Sequence, residues 1–384
     1  MKHINCLLFF LLLALLFSCG SKEGSFEYYD KKSGDLVFEL DSLTPNAVHH
    51  MQLEEVNGKK LLYILSPFGN RFVVFDFYSG KKVKEFSFPN SEAMPIRIGE
   101  YNTGFYFHNP DSIFMVARGS DLFVGKESGD FAPVFRFRKE FPDDRTLRPQ
   151  VYQFSKPFLI NDSIISFGGF IENYQEAYKE NMRTDLHLDL KSKKVERTTL
   201  YPKGVYKPGV YYSTNRHSPG RAYSKENHTI YYSFPNADSI YAKDVNNGKM
   251  EAFYAKDENL QPFIEMQSYK EASDMMKNSQ ATYISQQGAY NSIFSVDEKD
   301  MVVRSAYLGI PNYDPQIHNE RGYAINKALM FFGQSDHQHL GTIYLKNIDE
   351  RFIFFDEDHF YVYSFDHQDN EDQMVFDQYD YPEF

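Results

Sequence analysis

Three groups of arginine, histidine and tyrosine have the side chains best suited to chemistry. Arg145 and Arg148 stand with Tyr152, and Arg216, His217 and Arg221 stand with Tyr211 and Tyr212. His318, Arg321 and Tyr323 form the third group. A planar guanidinium fork matches a carboxylate or a phosphate, and a phenol adds a hydroxyl and an aromatic face for a sugar. The competing reading is that these residues neutralise an acidic chain and pack its loops. Asp336-His337-Gln338-His339 is the nearest approach to a metal motif, since alternation on a strand would bring both imidazoles to one side. No third ligand follows at a fixed spacing, and a polar hairpin tip between Phe332 and Ile343 explains the run equally simply, so no metal is assigned.

Carboxylate pairs are the other route to catalysis. Asp143-Asp144, or Asp356 with Asp358, would suit acid–base work on a glycoside, although the second pair lies in a turn that favours aspartate for its own reasons. The chain has no Gly-x-Ser-x-Gly elbow, His-Glu-x-x-His or glycine-rich phosphate loop. No catalytic residue and no cofactor is therefore assigned.

The elements that must hold these side chains are repeated hairpins. A short polar turn recurs at Asn57-Gly58, Asn109-Pro110-Asp111, Asn161-Asp162, Lys225-Glu226-Asn227, Asp297-Glu298-Lys299 and Asp356-Glu357-Asp358, at separations of 52, 52, 64, 72 and 59 residues. Each precedes an apolar strand such as Leu61 to Leu65, Ile113 to Val116 or Met301 to Ala306. A second turn follows one strand later, at Tyr78-Ser79-Gly80-Lys81, Glu127-Ser128-Gly129-Asp130, Lys191-Ser192-Lys193 and Asn246-Asn247-Gly248-Lys249. Repeats of this length with four antiparallel strands describe propeller blades. The expectation is an all-β, six-bladed β-propeller, with seven blades as the alternative. A two-sheet sandwich accounts less well for repeats so long and so numerous. One of the N-terminal pieces Phe26 to Tyr29 and Leu36 to Leu40 should pair with the C-terminal strands and close the ring.

Propeller connectivity then sorts the loops. Connections between strands one and two, and three and four, share one end of the ring and are short here. The long stretches Pro89 to Asn102, Glu140 to Lys156, Phe170 to Thr184, Tyr201 to Pro219, Lys256 to Gly288 and Leu308 to Asn326 all belong to the other end. Loops of that length commonly serve binding, so the elaborated face is the expected recognition face. Glu265 to Asn278 reads as a short helix over it.

Composition agrees with a β-rich chain. Aromatic residues reach 17%, all Phe or Tyr without Trp, which suits pleated surfaces and weakens a carbohydrate platform built on indole stacking. A net charge of −12 repels phosphate backbones, so nucleic acid is not an expected partner. At the N-terminus, Lys2 and His3 precede the apolar run Leu7 to Phe17, and Leu16-Phe17-Ser18-Cys19 closes it. That is a secretory leader ending in a lipobox. Residues 1–18 are read as the lipoprotein signal peptide, 19–25 as a lipidated tether and 26–384 as one propeller domain. Cys19 would carry the lipid and supply the membrane contact. With Cys6 removed in the leader, no disulfide remains available.

The lipobox, the segment Phe72-Val73-Val74-Phe75-Asp76-Phe77-Tyr78-Ser79-Gly80-Lys81 and the Tyr/Phe/Asn-rich body resemble the propeller lipoproteins of Bacteroidetes, in particular a family of unknown function. The resemblance implies a bacterial envelope location, lipid-anchored at the outer membrane and facing either the periplasm or the cell surface. It transfers no catalytic residue. The function expected is an envelope module that binds a protein, small molecule or oligosaccharide through its long-loop face. A propeller hydrolase or lyase acting on glycans or peptides is the alternative.

Overall fold

The computed structural model describes residues 26–46, 48–68, 70–88, 104–117, 121–144, 147–169, 183–207, 210, 212, 216–265, 284–314, 326–367 and 369–384. Six antiparallel sheets form a six-bladed β-propeller, which decides against seven. The first strand in the chain, β1 (Lys32–Glu39), is the last in the ring. Blade 1 is β2 (Met51–Val56), β3 (Lys59–Ser66), β4 (Arg71–Asp76) and β5 (Lys82–Ser87). Blade 2 is β6 (Gly104–Asn109), β7 (Ser112–Val116), β8 (Leu122–Gly125) and β9 (Phe131–Phe135).

Blade 3 has a divided inner strand, β10 (Pro149–Gln150) and β11 (Phe158–Ile160), both paired with β12 (Ile164–Gly169). It continues through β13 (Arg183–Asp189) and β14 (Val195–Leu200). Blade 4 is β15 (Gly220–Ser224), β16 (Thr229–Ser233), β17 (Ser239–Asp244) and β18 (Met250–Tyr254). Blade 5 is β19 (Ala289–Val296), β20 (Met301–Tyr307), β21 (Asn326–Gly333) and β22 (His339–Lys346). Blade 6 is β23 (Ile348–Phe355), β24 (His359–Ser364), β25 (Gln373–Asp380) and, outermost, β1. Leu36 of β1 faces Phe376 and Phe38 faces Met374, so the expected N- to C-terminal closure is present.

Burial explains the sequence of each strand class. Middle strands lie between neighbouring blades and are covered on both faces, so they read as near-continuous apolar runs. Leu61 to Leu65, Phe72 to Phe75 and Ala328 to Phe332 are all buried. Outer strands keep one wet face, and β5 alternates accordingly. Five buried clusters fill the seams between blades. The seam between blades 6 and 1 sets Phe38 edge-on to Phe75 and Phe376, at centroid distances of 5.5 and 5.7 Å.

Turn chemistry repeats with the blades. Asn57 and Gly58 both hold positive φ, 53° and 72°, as a two-residue hairpin with right-handed strand twist requires. At the other short turn, Asp76, Asp189 and Asp244 each accept backbone N–H bonds from residues two or three positions on, closing Asx turns. Four positions after each aspartate stands a residue with positive φ: Gly80, Lys193 and Gly248. Gly80 has a second duty, because a Cβ there would fall 1.9 Å from the Val37 carbonyl oxygen of β1. The tip of blade 1 therefore seats the strand that closes the ring.

All six polar turns expected between first and second strands occupy that place. The helix expected at Glu265 to Asn278 lies, from residue 266, outside the described residues, as do 89–103, 170–182 and 315–325 of the long connections. Within Glu140 to Lys156 one expectation changes. Pro149 and Gln150 join blade 3 as β10, so this connection is partly inner strand.

Candidate functional site

The first strand of each blade faces the axis, and the channel they enclose is stopped at one end. Between β10 and β11 the chain leaves the sheet and crosses the axis through Val151–Pro157. The Phe154 carbonyl accepts from Arg221 N of β15 at 2.9 Å. On the far side, the Gln153 amide makes both bonds to the Met51 backbone of β2, at 3.0 and 3.1 Å, in place of a missing strand neighbour. Lys156 Nζ also donates to the Met51 carbonyl, at 2.9 Å. Met51 and Arg221 both lie at the long-loop ends of their strands, so this crossing plugs that end of the axis.

What remains is a well of about 320 Å³ opening among the short turns. All six blades line it, with Glu54 from β2, Tyr106 from β6, Phe158 from β11, Tyr223 from β15, Phe294 from β19 and Phe355 from β23. Exposure rises towards Lys225 and Glu298, which stand at the rim. The walls are aromatic. Phe158 and Tyr223 stack at 5.1 Å with a 14° interplanar angle, and Phe294 and Phe355 meet at 5.4 Å.

Charged groups interrupt this aromatic lining. Glu54 accepts a 2.6 Å bond from the Gln52 amide, which also spans to both backbone groups of Phe107 on β6. Burial pushes the Glu54 carboxyl up from the ordinary carboxylate range, against the pull of nearby Lys225 and Lys156. Burial pushes the Lys156 ammonium down to about 8, and the field of Glu54 opposes that fall. Among the described residues, no ion pair joins Glu54 or Glu298 to Lys156 or Lys225.

Arg221 of the second expected group lines the same well, and its guanidinium lies over Phe158 at 4.7 Å. Behind it stands Asp185, with Nε to Oδ1 at 3.1 Å and both side chains fully buried. Asp185 Oδ2 accepts from Thr199 Oγ1 at 2.6 Å and from the Tyr232 hydroxyl. Arg221 donates from Nη2 to Ser166, whereas Nη1 is buried without a partner among the described residues.

The other expected residues are placed differently. Arg216 donates to Asn236 Oδ1 and the Gly288 carbonyl, both at 2.7 Å, and packs 4.9 Å from the Phe263 ring centroid. His217 donates from Nε2 to the Tyr212 carbonyl at 2.7 Å, and burial holds its imidazole down at about 4. Tyr212 accepts from Lys207 N at 3.0 Å and stacks on Phe263. These three form a buried knot between blades 3, 4 and 5. Arg148 donates to the Pro142 carbonyl at 2.9 Å, and Tyr152 stacks on Phe154 within the plug at 5.0 Å. Arg145, Tyr211, His318, Arg321, Tyr323 and Cys19 lie outside the described residues.

His337 sits in the hairpin between β21 and β22, stacked on Phe253 at 4.2 Å. His339 begins β22 and bonds Thr342 at 3.0 Å. This is the hairpin-tip reading of that run. Asp35, His367 and Asp377 do bring ligand atoms within 4.8 Å of one another. An ammonium already fills that cluster, since Lys32 Nζ lies 2.7 Å from Asp35 and 2.8 Å from Asp377.

Sequence reasoning missed Glu54 and Lys156 and placed Lys225 and Glu298 only as turn residues. Leu53-Glu54-Glu55-Val56 has the look of a wet strand end. The one available signal was position, because Glu54 falls on a first strand and first strands face the axis.

No protein-family model matches the chain, and no curated protein does. Among solved structures, a DUF4221-family protein from Bacteroides vulgatus aligns with a TM-score of 0.74 and 16% identity, over 91% of this chain and 96% of that one. The two share a fold. The resemblance to Bacteroidetes propellers of unknown function is met at that level. Regucalcin, a calcium-binding protein from Agrobacterium tumefaciens, aligns at 0.47 and 11% identity over 90% and 93% of the two chains. A candidate exported protein from Bacteroides fragilis aligns at 0.46 and 11% over 91% and 97%. These two likenesses are distant.

Proposed function

We propose that the protein is a binding module of the bacterial cell envelope, tethered by a lipid on Cys19, that takes its ligand in the axial well. The observation behind this reading is a single-ended well whose carboxylate and ammonium groups are not paired with one another. Pairing is the ordinary fate of charges placed near apolar walls, and a site that leaves it undone is suited to a ligand that completes it. The long-loop face is the second surface open to a protein partner, although Tyr212, Arg216 and His217 are engaged inside the chain. The lipobox and apolar leader support the tether and an outer-membrane location facing the periplasm or the cell surface.

Two experiments test the reading. Native mass spectrometry of the detergent-solubilised mature chain, incubated with an oligosaccharide–peptide mixture, should show retained ligand that Ala222→Trp excludes. Ala222 is a half-buried residue that lines the well and packs on the seam with blade 5, so an indole there should intrude on the well, and an unchanged melting temperature would show the ring intact. Equal retention by both proteins would refute the axial site. Cys19→Ala should move the protein from the membrane pellet to the soluble fraction and abolish palmitate labelling, and labelling that persists would refute the tether.

A lyase or hydrolase draws on one observation too, the carboxyl raised and the amine lowered in the same well, which is the pattern of an acid–base pair. Turnover of a retained ligand, abolished by Glu54→Gln, would favour it.

A further inference from the structure

We infer that the axial well takes a small zwitterion, an α-amino acid or a dipeptide, with its ammonium on Glu54 and its carboxylate between Lys156 and Lys225. The inference rests on the axial well being the recognition site and adds the ligand's chemical class.

Charge balance carries it. The well holds a carboxylate at Glu54 with ammonium groups at Lys156 and Lys225, whose fields reach it although no ion pair joins them, and a second carboxylate, Glu298, stands at the exposed rim. A purely anionic ligand would satisfy the lysines and set a second negative charge against Glu54. A purely cationic one would do the reverse, and a neutral sugar could hydrogen-bond these groups yet would bring no charge to oppose theirs. A molecule with both charges at its ends answers each group with its opposite. Arg221 lines the same wall with its charge already met by Asp185, so the free positive charge of the well is that of the two lysines.

Size and lining narrow the class. About 320 Å³ is the room of roughly ten waters, enough for an amino acid or a dipeptide and too little for an extended oligosaccharide. The stacked Phe158 and Tyr223 rings give an apolar or aromatic side chain a surface to lie on.

Calorimetry on the detergent-solubilised mature chain tests this with L-alanyl-L-phenylalanine, its N-acetyl form and its C-terminal amide. The free dipeptide should bind saturably, and each cap should weaken binding at least about tenfold. Glu54→Gln should lower affinity for the free dipeptide about tenfold and make it insensitive to N-acetylation. Lys225→Met should do the same for amidation. Equal binding of all three compounds would overturn the zwitterion assignment. So would no dipeptide binding by a protein that retains another ligand sensitive to Ala222→Trp, and in that case the axial site itself would stand. Absence of any ligand sensitive to Ala222→Trp would remove both.

Discussion

At two seams between blades, buried charges are met by partners within the chain; on the axis, opposite charges stand near one another without pairing. Arg304 of β20 has no exposed surface, and its guanidinium donates to Ser233 Oγ and the Phe234, Ala237 and Ala255 carbonyls at 2.7–3.2 Å. Tyr290 lies against it, 3.4 Å from ring centroid to guanidinium carbon. Lys327 and Glu350, both buried, pair at 2.7 Å between blades 5 and 6, and Asn291 takes the remaining Glu350 oxygen at 2.7 Å. Glu54, Lys156 and Lys225 line the well without pairing with one another, although Gln52 donates to Glu54 and Lys156 donates to the Met51 carbonyl. Paired charges lock blades together, whereas opposite charges left unpaired around an accessible well mark a place for something else to bind.

Removing charges of the first kind should be costly. Arg304→Ala strands four acceptors at the seam between blades 4 and 5 and should lower stability by about 3–5 kcal/mol in urea denaturation. A loss under about 1 kcal/mol would break the distinction. Gly80→Ala tests the ring closure instead. It forces a Cβ onto the Val37 carbonyl at a φ of 64° and should cost about 2 kcal/mol, with early proteolytic release of the N-terminal strand. A variant as stable and protease-resistant as the parent would show that β1 does not depend on that contact.

Acid should act on the seams through histidine. Burial holds both His187 and His217 down at about 4, against an ordinary value of 6.5. Unfolded chains therefore bind protons that the folded chain refuses, so this contribution is complete above about pH 6.5 and is lost as the pH falls to about 4. The melting temperature should decline across that window, and His217→Asn should flatten the decline. An unchanged slope in the variant would exclude His217 as a source. The smallest effect belongs to the axis. Lys225→Met, at the exposed rim, should leave stability within about 0.5 kcal/mol of the parent while altering binding. A large loss would place Lys225 among the structural charges.

Much of this architecture is legible in the residues themselves. Six polar turns, the second turns that follow one strand later and the apolar middle strands are local features with local causes, and they carry blade number and strand class. A spare N-terminal strand similarly announces the closure, since an unpaired β1 would leave an open edge. The site was far less legible. Arginine, histidine and tyrosine were sound candidates by type, yet type does not say whether a guanidinium meets a ligand or the chain's own carbonyls. Arg216 and Arg221 are five residues apart in adjoining stretches; one ties Asn236 to Gly288, and the other lines the well.

The residues alone determined the all-β fold class, the repeat and the end of the ring that carries long connections, because hydrophobic alternation and turn chemistry act over a few positions. Tertiary structure alone decided where the axis is blocked and which charges stay unpaired. Glu54, Lys156 and Lys225 are separated by tens of residues and come together only when the ring closes. The plug rests on Gln153 finding the Met51 backbone across the axis, a pairing that no local pattern records.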